Sequence, residues 1–126
     1  MKQKVVVFSQ IDAEVLQCLE QRYHVVVINP KAGDVNTQIR EQVANADAMI
    51  GAGRLLNQNN LETAKQLKII SSVSVGYDNY ELNYLDQAKI WLSHTPHVLT
   101  ETTADLAFTL LMSAARQVPY LDQWTK

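Results

Sequence analysis

Apolar residues in this chain follow two habits: short clusters within segments of three to seven residues, and longer stretches in which they recur every three or four positions. The first habit belongs to strands buried on both faces, the second to helices with one inward stripe. Residues 4–8 form the first run, and Asp12 stands where it can cap a helix over 12–23 with Val15, Leu16 and Leu19 on one face. A second Val/Ile run covers 24–28 and closes at Asn29-Pro30 and the turn around Gly33-Asp34. Residues 37–45 read as a short helix with Ile39 and Val43 inward, and Ala48-Met49-Ile50 as a third strand ending at Gly51-Ala52-Gly53. A helix over 57–66 faces Leu61 and Ala64 inward, a fourth strand covers 67–73, a fourth helix 80–88, and a fifth strand 90–93 stops at His94-Thr95-Pro96.

Strand and helix thus alternate five times with short connections. That predicts parallel strands, right-handed crossovers and an open α/β sheet with helices on both faces, in a flavodoxin-like order, with residues 5–8 and 69–72 buried. Ligands of such sheets sit beyond the carboxyl ends of the strands, where strand order reverses. Gly51-Ala52-Gly53-Arg54 and Val75-Gly76 both lie at such ends, so the two loops are placed to share a cleft.

The chemistry concentrates in Ser72-Val73-Ser74-Val75-Gly76-Tyr77-Asp78-Asn79. Here an apolar strand ends in a glycine followed by turn-forming residues, with Asp78 or Asn79 placed to cap the next helix. That reading leaves the N–H groups of Val75 and Gly76 free for a small anion such as a carboxylate or phosphate; the alternative is a plain strand-to-helix turn. Arg54, after the third strand, is a candidate carboxylate clamp.

The last segment is different in kind. Thr102-Thr103-Ala104-Asp105 has the spacing of a capping box, and residues 106–115 are apolar on nearly every face, which calls for cover on both sides. The tail adds Val118, Tyr120, Leu121 and Trp124 with no strand to follow. The segment divides the chain into 1–100 and 101–126.

Composition narrows the class further. In 126 residues, 47% are hydrophobic, enough for one globular core, while 19% charged residues and a net charge of -2 leave no basic footprint for nucleic acid or an anionic membrane. No run has the length of a signal-peptide core or a membrane span, so the expected location is cytoplasmic. Cys18 is the single cysteine and reads as a half-buried helix residue; neither Cys-x-x-Cys nor His-x-x-x-His is present to suggest a metal site.

Taken in order, Ser74-Val75-Gly76-Tyr77-Asp78-Asn79, His94-Thr95-Pro96, and Leu99-Thr100-Glu101-Thr102-Thr103-Ala104-Asp105-Leu106 with its apolar helix to Arg116 resemble the N-terminal part of the D-isomer-specific 2-hydroxyacid dehydrogenases, closest to their glyoxylate/hydroxypyruvate reductase branch. The resemblance covers essentially the whole chain. It implies the substrate-binding domain of a two-domain oxidoreductase that reduces a small 2-oxo acid with NADPH or NADH, the branch leaning towards NADPH. By the same resemblance Val75 and Gly76 bind the substrate carboxylate through their N–H groups, the hydroxyl of Thr103 faces the nicotinamide, and the helix over 103–115 crosses to the cofactor domain. The full-length enzyme would be a homodimer, and a fragment ending here could self-associate through that helix.

Departures carry equal information. The family's Gly-x-Gly-x-x-Gly fingerprint and its catalytic Arg, Glu and His have no counterpart in the 126 residues, so the chain alone is expected to hold no nicotinamide cofactor, no Rossmann domain, no catalytic residue and no reductase activity. His24, His94 and His97 read as surface or edge histidines, and Asp105 stands where the family has Glu. A free-standing binding or regulatory module of the same fold is the competing function. A phosphoacceptor receiver domain is excluded because Ser9-Gln10 and Gly51 occupy the places its acidic residues need, and a flavodoxin because the first loop lacks a hydroxyl-rich phosphate cradle.

Overall fold

The computed structural model describes residues 2–126. Its elements are β1 (Lys4–Val7), α1 (Ala13–Arg22), β2 (His24–Val27), α2 (Val35–Val43), β3 (Ala48–Gly51), α3 (Gln58–Leu61), β4 (Ile69–Ser72), α4 (Leu82–Gln87), β5 (Trp91–Ser93), α5 (Thr100–Ala115) and α6 (Val118–Thr125). The five strands pair in parallel in the order β2-β1-β3-β4-β5, the expected flavodoxin-like order. The chain parts into two compact units between Thr95 and Pro96, the first holding the sheet and the second α5 and α6. Among the described residues no helix is long and apolar enough to cross a membrane.

Strand order explains how the sheet is covered. The step from β1 to β2 runs one way and the steps to β3, β4 and β5 run the other, so right-handed crossovers put α1 on one face and α2, α3 and α4 on the opposite face. The three-helix face is the core: Val6, Met49 and Ile70 from the strands pack with Ile39, Val43, Leu61 and Leu85, all buried. On α1's face the register aligns Val5 with Ala48, Ala48 with Ile69 and Ile69 with Trp91. Val5 is buried there, but Ile69 is 39% and Trp91 78% exposed. The expected burial of 69–72 therefore holds for Ile70 and Ser72 and fails for Ile69, which is exposed, and Ser71, which is half-buried; both lie on the side that faces away from α2 to α4.

Local signals set most boundaries. Asp12 caps α1 by accepting the Glu14 N–H at 2.8 Å, and Asp34 caps α2 by accepting the Thr37 N–H at 2.7 Å. The second cap starts α2 earlier than the apolar spacing suggested, with Val35 buried in its first turn. Helix α3 is one turn rather than the expected 57–66. The Leu61 carbonyl accepts from the Ala64 N–H at 2.9 Å and the Tyr84 hydroxyl at 3.1 Å, a tighter turn that ends the helix. Neither Asp78 nor Asn79 caps α4, which follows Glu81 without a side-chain cap; the Asn79 amide donates to the Arg54 carbonyl instead. The capping box at Thr102–Asp105 is also absent: α5 begins at Thr100, and the Thr102 hydroxyl, inside its first turn, donates back to the Leu99 carbonyl at 3.2 Å. Cys18 is exposed rather than half-buried, because Leu16 and Leu19 are the positions of α1 that turn inward.

Candidate functional site

Strand β4 ends at Ser72, and the chain then runs through 73–79 before α4. The Val73 N–H still pairs with the Gly51 carbonyl at 2.9 Å, so the segment leaves the sheet at Ser74. Two hydroxyls brace the turn. Ser74 Oγ donates to the Gly76 carbonyl at 2.8 Å, and because it has one proton, Ser72 Oγ must be the donor in the 2.8 Å Ser72–Ser74 bond. Ser72 is 2% exposed, which anchors this relay in the sheet.

The segment after β5 fixes the peptide planes. The Thr95 N–H donates to the Ser74 carbonyl at 3.0 Å, and His94 Nδ1 lies 2.9 Å from the Val75 carbonyl. A carbonyl only accepts, so Nδ1 carries the proton and Nε2 is the nitrogen left for other partners. The Tyr77 ring meets the His94 ring edge-on, with centroids 5.3 Å apart. In a trans peptide the N–H points opposite to the preceding carbonyl. Holding the Ser74 and Val75 carbonyls towards Thr95 and His94 therefore aims the N–H groups of Val75 and Gly76 the other way. Among the described residues neither N–H has a hydrogen-bond partner, and both residues are exposed.

Gly76 itself takes an ordinary negative φ, and a Cβ added there would meet only Asp78 Oδ2, at 3.6 Å. The turn does not require a glycine; what glycine provides is open space before the two N–H groups. Arg54 is placed differently from the expectation of one shared cleft. Its carbonyl is tied to Asn79, but its side chain lines a concavity with Asn36, Arg40 and Asn57 to which no residue of 72–79 contributes. Thr103 lies in the second unit, exposed, in the first turn of α5, with its N–H bonded to the Leu99 carbonyl at 2.9 Å.

His94 and Thr95 are the residues that sequence reasoning undervalued. His94 is exposed, as expected, yet it holds the Val75 carbonyl. The signal was available in the parallel order: once β4 and β5 are neighbours with Ser71 opposite Ser93, whatever follows β5 must lie beside whatever follows β4.

The Gly-x-Gly at 51–53 is no dinucleotide cradle. The third glycine position is Leu56, fully buried and bridged to Tyr80, and the helix that follows, α3, is a single turn whose cap is taken up by Asn57 and Asn60. The loop 51–56 thus does not fit the pyrophosphate of a nicotinamide dinucleotide.

The sheet and its oriented loop define a doubly wound α/β domain of the kind that receives its ligand beyond the carboxyl ends of its strands. Residues 5–118 match the model of the D-isomer specific 2-hydroxyacid dehydrogenase catalytic domain, and the chain belongs to that family. It is 38% identical over 126 residues to glyoxylate/hydroxypyruvate reductase B of Yersinia enterocolitica, a match that takes in 100% of this chain and 39% of that protein. The enzyme of the same name from Serratia proteamaculans is 34% identical over 118 residues, 94% of this chain and 36% of its own. The chain therefore spans about 39% of the length of the curated relative it matches over its whole length. Among solved structures, the NADPH-dependent glyoxylate/hydroxypyruvate reductase of Sinorhizobium meliloti, in complex with citrate, superposes with a TM-score of 0.79 at 26% identity, over 98% of this chain and 37% of that one. The 2-hydroxyacid dehydrogenase of Ketogulonicigenium vulgare shares the fold with a TM-score of 0.82 at 23% identity, over 99% of this chain and 39% of its own.

Proposed function

We propose that this chain is the substrate-binding domain of an NAD(P)H-dependent reductase that converts glyoxylate- or hydroxypyruvate-type 2-oxo acids to D-2-hydroxy acids. The observation that carries the reading is the pair of partnerless N–H groups at Val75 and Gly76, aimed together by Thr95 and His94, in a chain of this family. Two parallel N–H donors suit the two oxygens of a carboxylate. The residues here bind and orient: Val75 and Gly76 take the carboxylate, and the Ser72-Ser74 relay with His94 and Thr95 keeps the donors from turning away. Thr103 is the residue of this chain assigned to the nicotinamide side. A bound nicotinamide would supply the hydride, from a part of the enzyme other than these residues. The relative named as NADPH-dependent supports NADPH over NADH. The whole enzyme works in the cytoplasm as a homodimer, and this chain by itself self-associates through the exposed apolar positions Leu106, Phe108 and Leu111 of α5.

The test uses the 126-residue chain with oxamate, a non-reacting mimic of a 2-oxo acid, followed by amide NMR. Saturable shifts centred on Val75 and Gly76, weakened by Gly76→Val without loss of thermal stability, are the expected result. Equal binding by the Gly76→Val variant would overturn the site. In the same preparation NADPH or NADH with glyoxylate should give no turnover, and measurable turnover would overturn the assignment of the chain to substrate binding alone.

A further inference from the structure

A second concavity, of about 300 Å³, lies between α2, the loop after β3 and the start of α3. Arg40 reaches it from the last turn of α2 and Arg54 from the loop after β3. Among the described residues neither guanidinium has an ion-pair or hydrogen-bond partner, and Arg54 is half-buried. Asp34 is near enough for both guanidiniums to act on its carboxyl, yet its Oδ2 is engaged at the cap of α2 by the Thr37 N–H and by the Thr37 hydroxyl at 2.8 Å. The charged side chains that line the recess itself, Arg40 and Arg54, are both positive; the Glu81 carboxylate lies outside the lining, accepting from the Gln58 N–H at 2.8 Å.

The asparagines add donors of fixed orientation. Asn57 Oδ1 accepts the Asn60 N–H at 3.3 Å, and Asn60 Oδ1 accepts the Asn57 N–H at 3.4 Å. A backbone N–H can only donate, so both carboxamides must turn their oxygens to the backbone and keep their NH2 groups for another partner. Asn60 is 6% exposed, which holds this pair rigid. The reciprocal bonds thus consume the acceptor ends and leave the donor ends. A concave, positively charged wall of amide and guanidinium N–H groups suits a compact anion with several oxygens.

We propose that this recess is a second anion site, binding a dianionic phosphoryl group, free or esterified, through Arg40, Arg54 and the NH2 groups of Asn57 and Asn60. Three terminal oxygens of one phosphoryl group accept from more converging donors than the two of a carboxylate, which separates this site chemically from the N–H pair at Val75 and Gly76. None of the residues 72–79 lines it.

The experiment titrates the 126-residue chain with inorganic phosphate and, in a parallel arm, with glycerol 3-phosphate, at constant ionic strength and with chloride as control. Asparagine side-chain NH2 and arginine Nε signals are followed by NMR. Saturable shifts at Asn57 and Asn60 in either arm, with Kd raised about tenfold or more by Arg40→Gln and by Arg54→Gln, are expected, since each removes one charge-assisted contact. Saturation in both arms identifies a bare phosphoryl group as sufficient; saturation by the ester alone identifies a phosphorylated small molecule. Shifts that do not saturate, that chloride reproduces, or that both arginine variants retain would overturn the site. Oxamate in a third arm should move Val75 and Gly76 and leave Asn57 and Asn60 still, so a failure there bears on the carboxylate reading alone.

Discussion

Replacing Gly51 with alanine tests how tightly the carboxyl end of β3 is fitted to its surroundings. Gly51 is buried with φ +158°, and a Cβ built there stands 2.8–2.9 Å from three atoms of the Phe8 ring. Carbon atoms rest at roughly 3.5–4.0 Å, so the ring would have to retreat by about 0.6 Å or more. Phe8 is 2% exposed and belongs to the core, which leaves it no free direction. Forcing extra volume into such a core costs about 1–3 kcal/mol, and holding alanine at a φ that L-residues rarely adopt adds about 1–2 kcal/mol. For a chain of 126 residues the sum lowers Tm by on the order of 10 °C. The measurement is urea and thermal unfolding of Gly51→Ala beside two internal controls. Gly53 has φ +70° and open space around a Cβ, so Gly53→Ala should lose about 1 kcal/mol from backbone strain alone. Gly76, with an ordinary φ, should accept alanine within about 0.5 kcal/mol. Adding Phe8→Leu to Gly51→Ala should recover part of the loss, with a coupling of about 0.5–3 kcal/mol. A Gly51→Ala variant no less stable than Gly53→Ala, or a strictly additive double variant, would refute the reasoning.

Other outcomes follow from single features. Tyr80 is 4% exposed and its hydroxyl is buried without a partner; Tyr80→Phe should therefore raise the urea midpoint by about 1 kcal/mol equivalent, and a fall would mean the hydroxyl has a partner after all. The Thr37 N–H and then its hydroxyl hold the Asp34 carboxyl below the usual carboxylate range. A lowered folded pKa contributes stability above the unfolded value and loses it as pH falls through the folded one, so Asp34→Ala should lower Tm at pH 7 and the gap should close in acid. A gap that persisted unchanged at low pH would rule out a charged cap. His94→Ala should weaken oxamate binding at nearly constant Tm, while His94→Asn, which keeps a donor, should restore part of the affinity; equal affinity in all three would remove His94 from the carbonyl clamp.

The sheet was legible in the sequence because β1 and β2 are dense Val runs and β3, β4 and β5 carry shorter apolar clusters between turn residues, and parallel order follows from the crossovers between them. Caps were legible where a carboxylate had no competing partner, as at Asp12. They were misread where another carbonyl claimed the side chain first: Asn79 went to the distant Arg54 carbonyl, and Thr102 bonded locally to the Leu99 carbonyl three residues before it. Helix α3 shortened because the Tyr84 hydroxyl reached the Leu61 carbonyl, a contact between elements that no local pattern encodes. The same division runs through the site. Free N–H groups at Val75 and Gly76 could be inferred from a strand ending at a glycine, whereas their direction depends on His94 and Thr95, nearly twenty residues further on. Arg54 was visible as a charge after β3, but its companions Arg40 and Asn57 are gathered only by the packing of α2 against α3.

The clamp on the Ser74 and Val75 carbonyls also ties the two donors to the edge of the sheet. The aim of the two donors depends on β5 lying at the edge of the sheet, because that strand brings His94 and Thr95 alongside. On the proposed carboxylate reading, holding an anion therefore depends on that edge being docked. A bound anion should accordingly keep that edge closed, and at about ten times its Kd the Thr95 amide proton should exchange with solvent about tenfold more slowly. The amide of Val6, deep in the centre of the sheet, opens only with the whole domain. It should register the same ligand solely through global stability, so the two amides together would separate fraying of the edge from unfolding of the core.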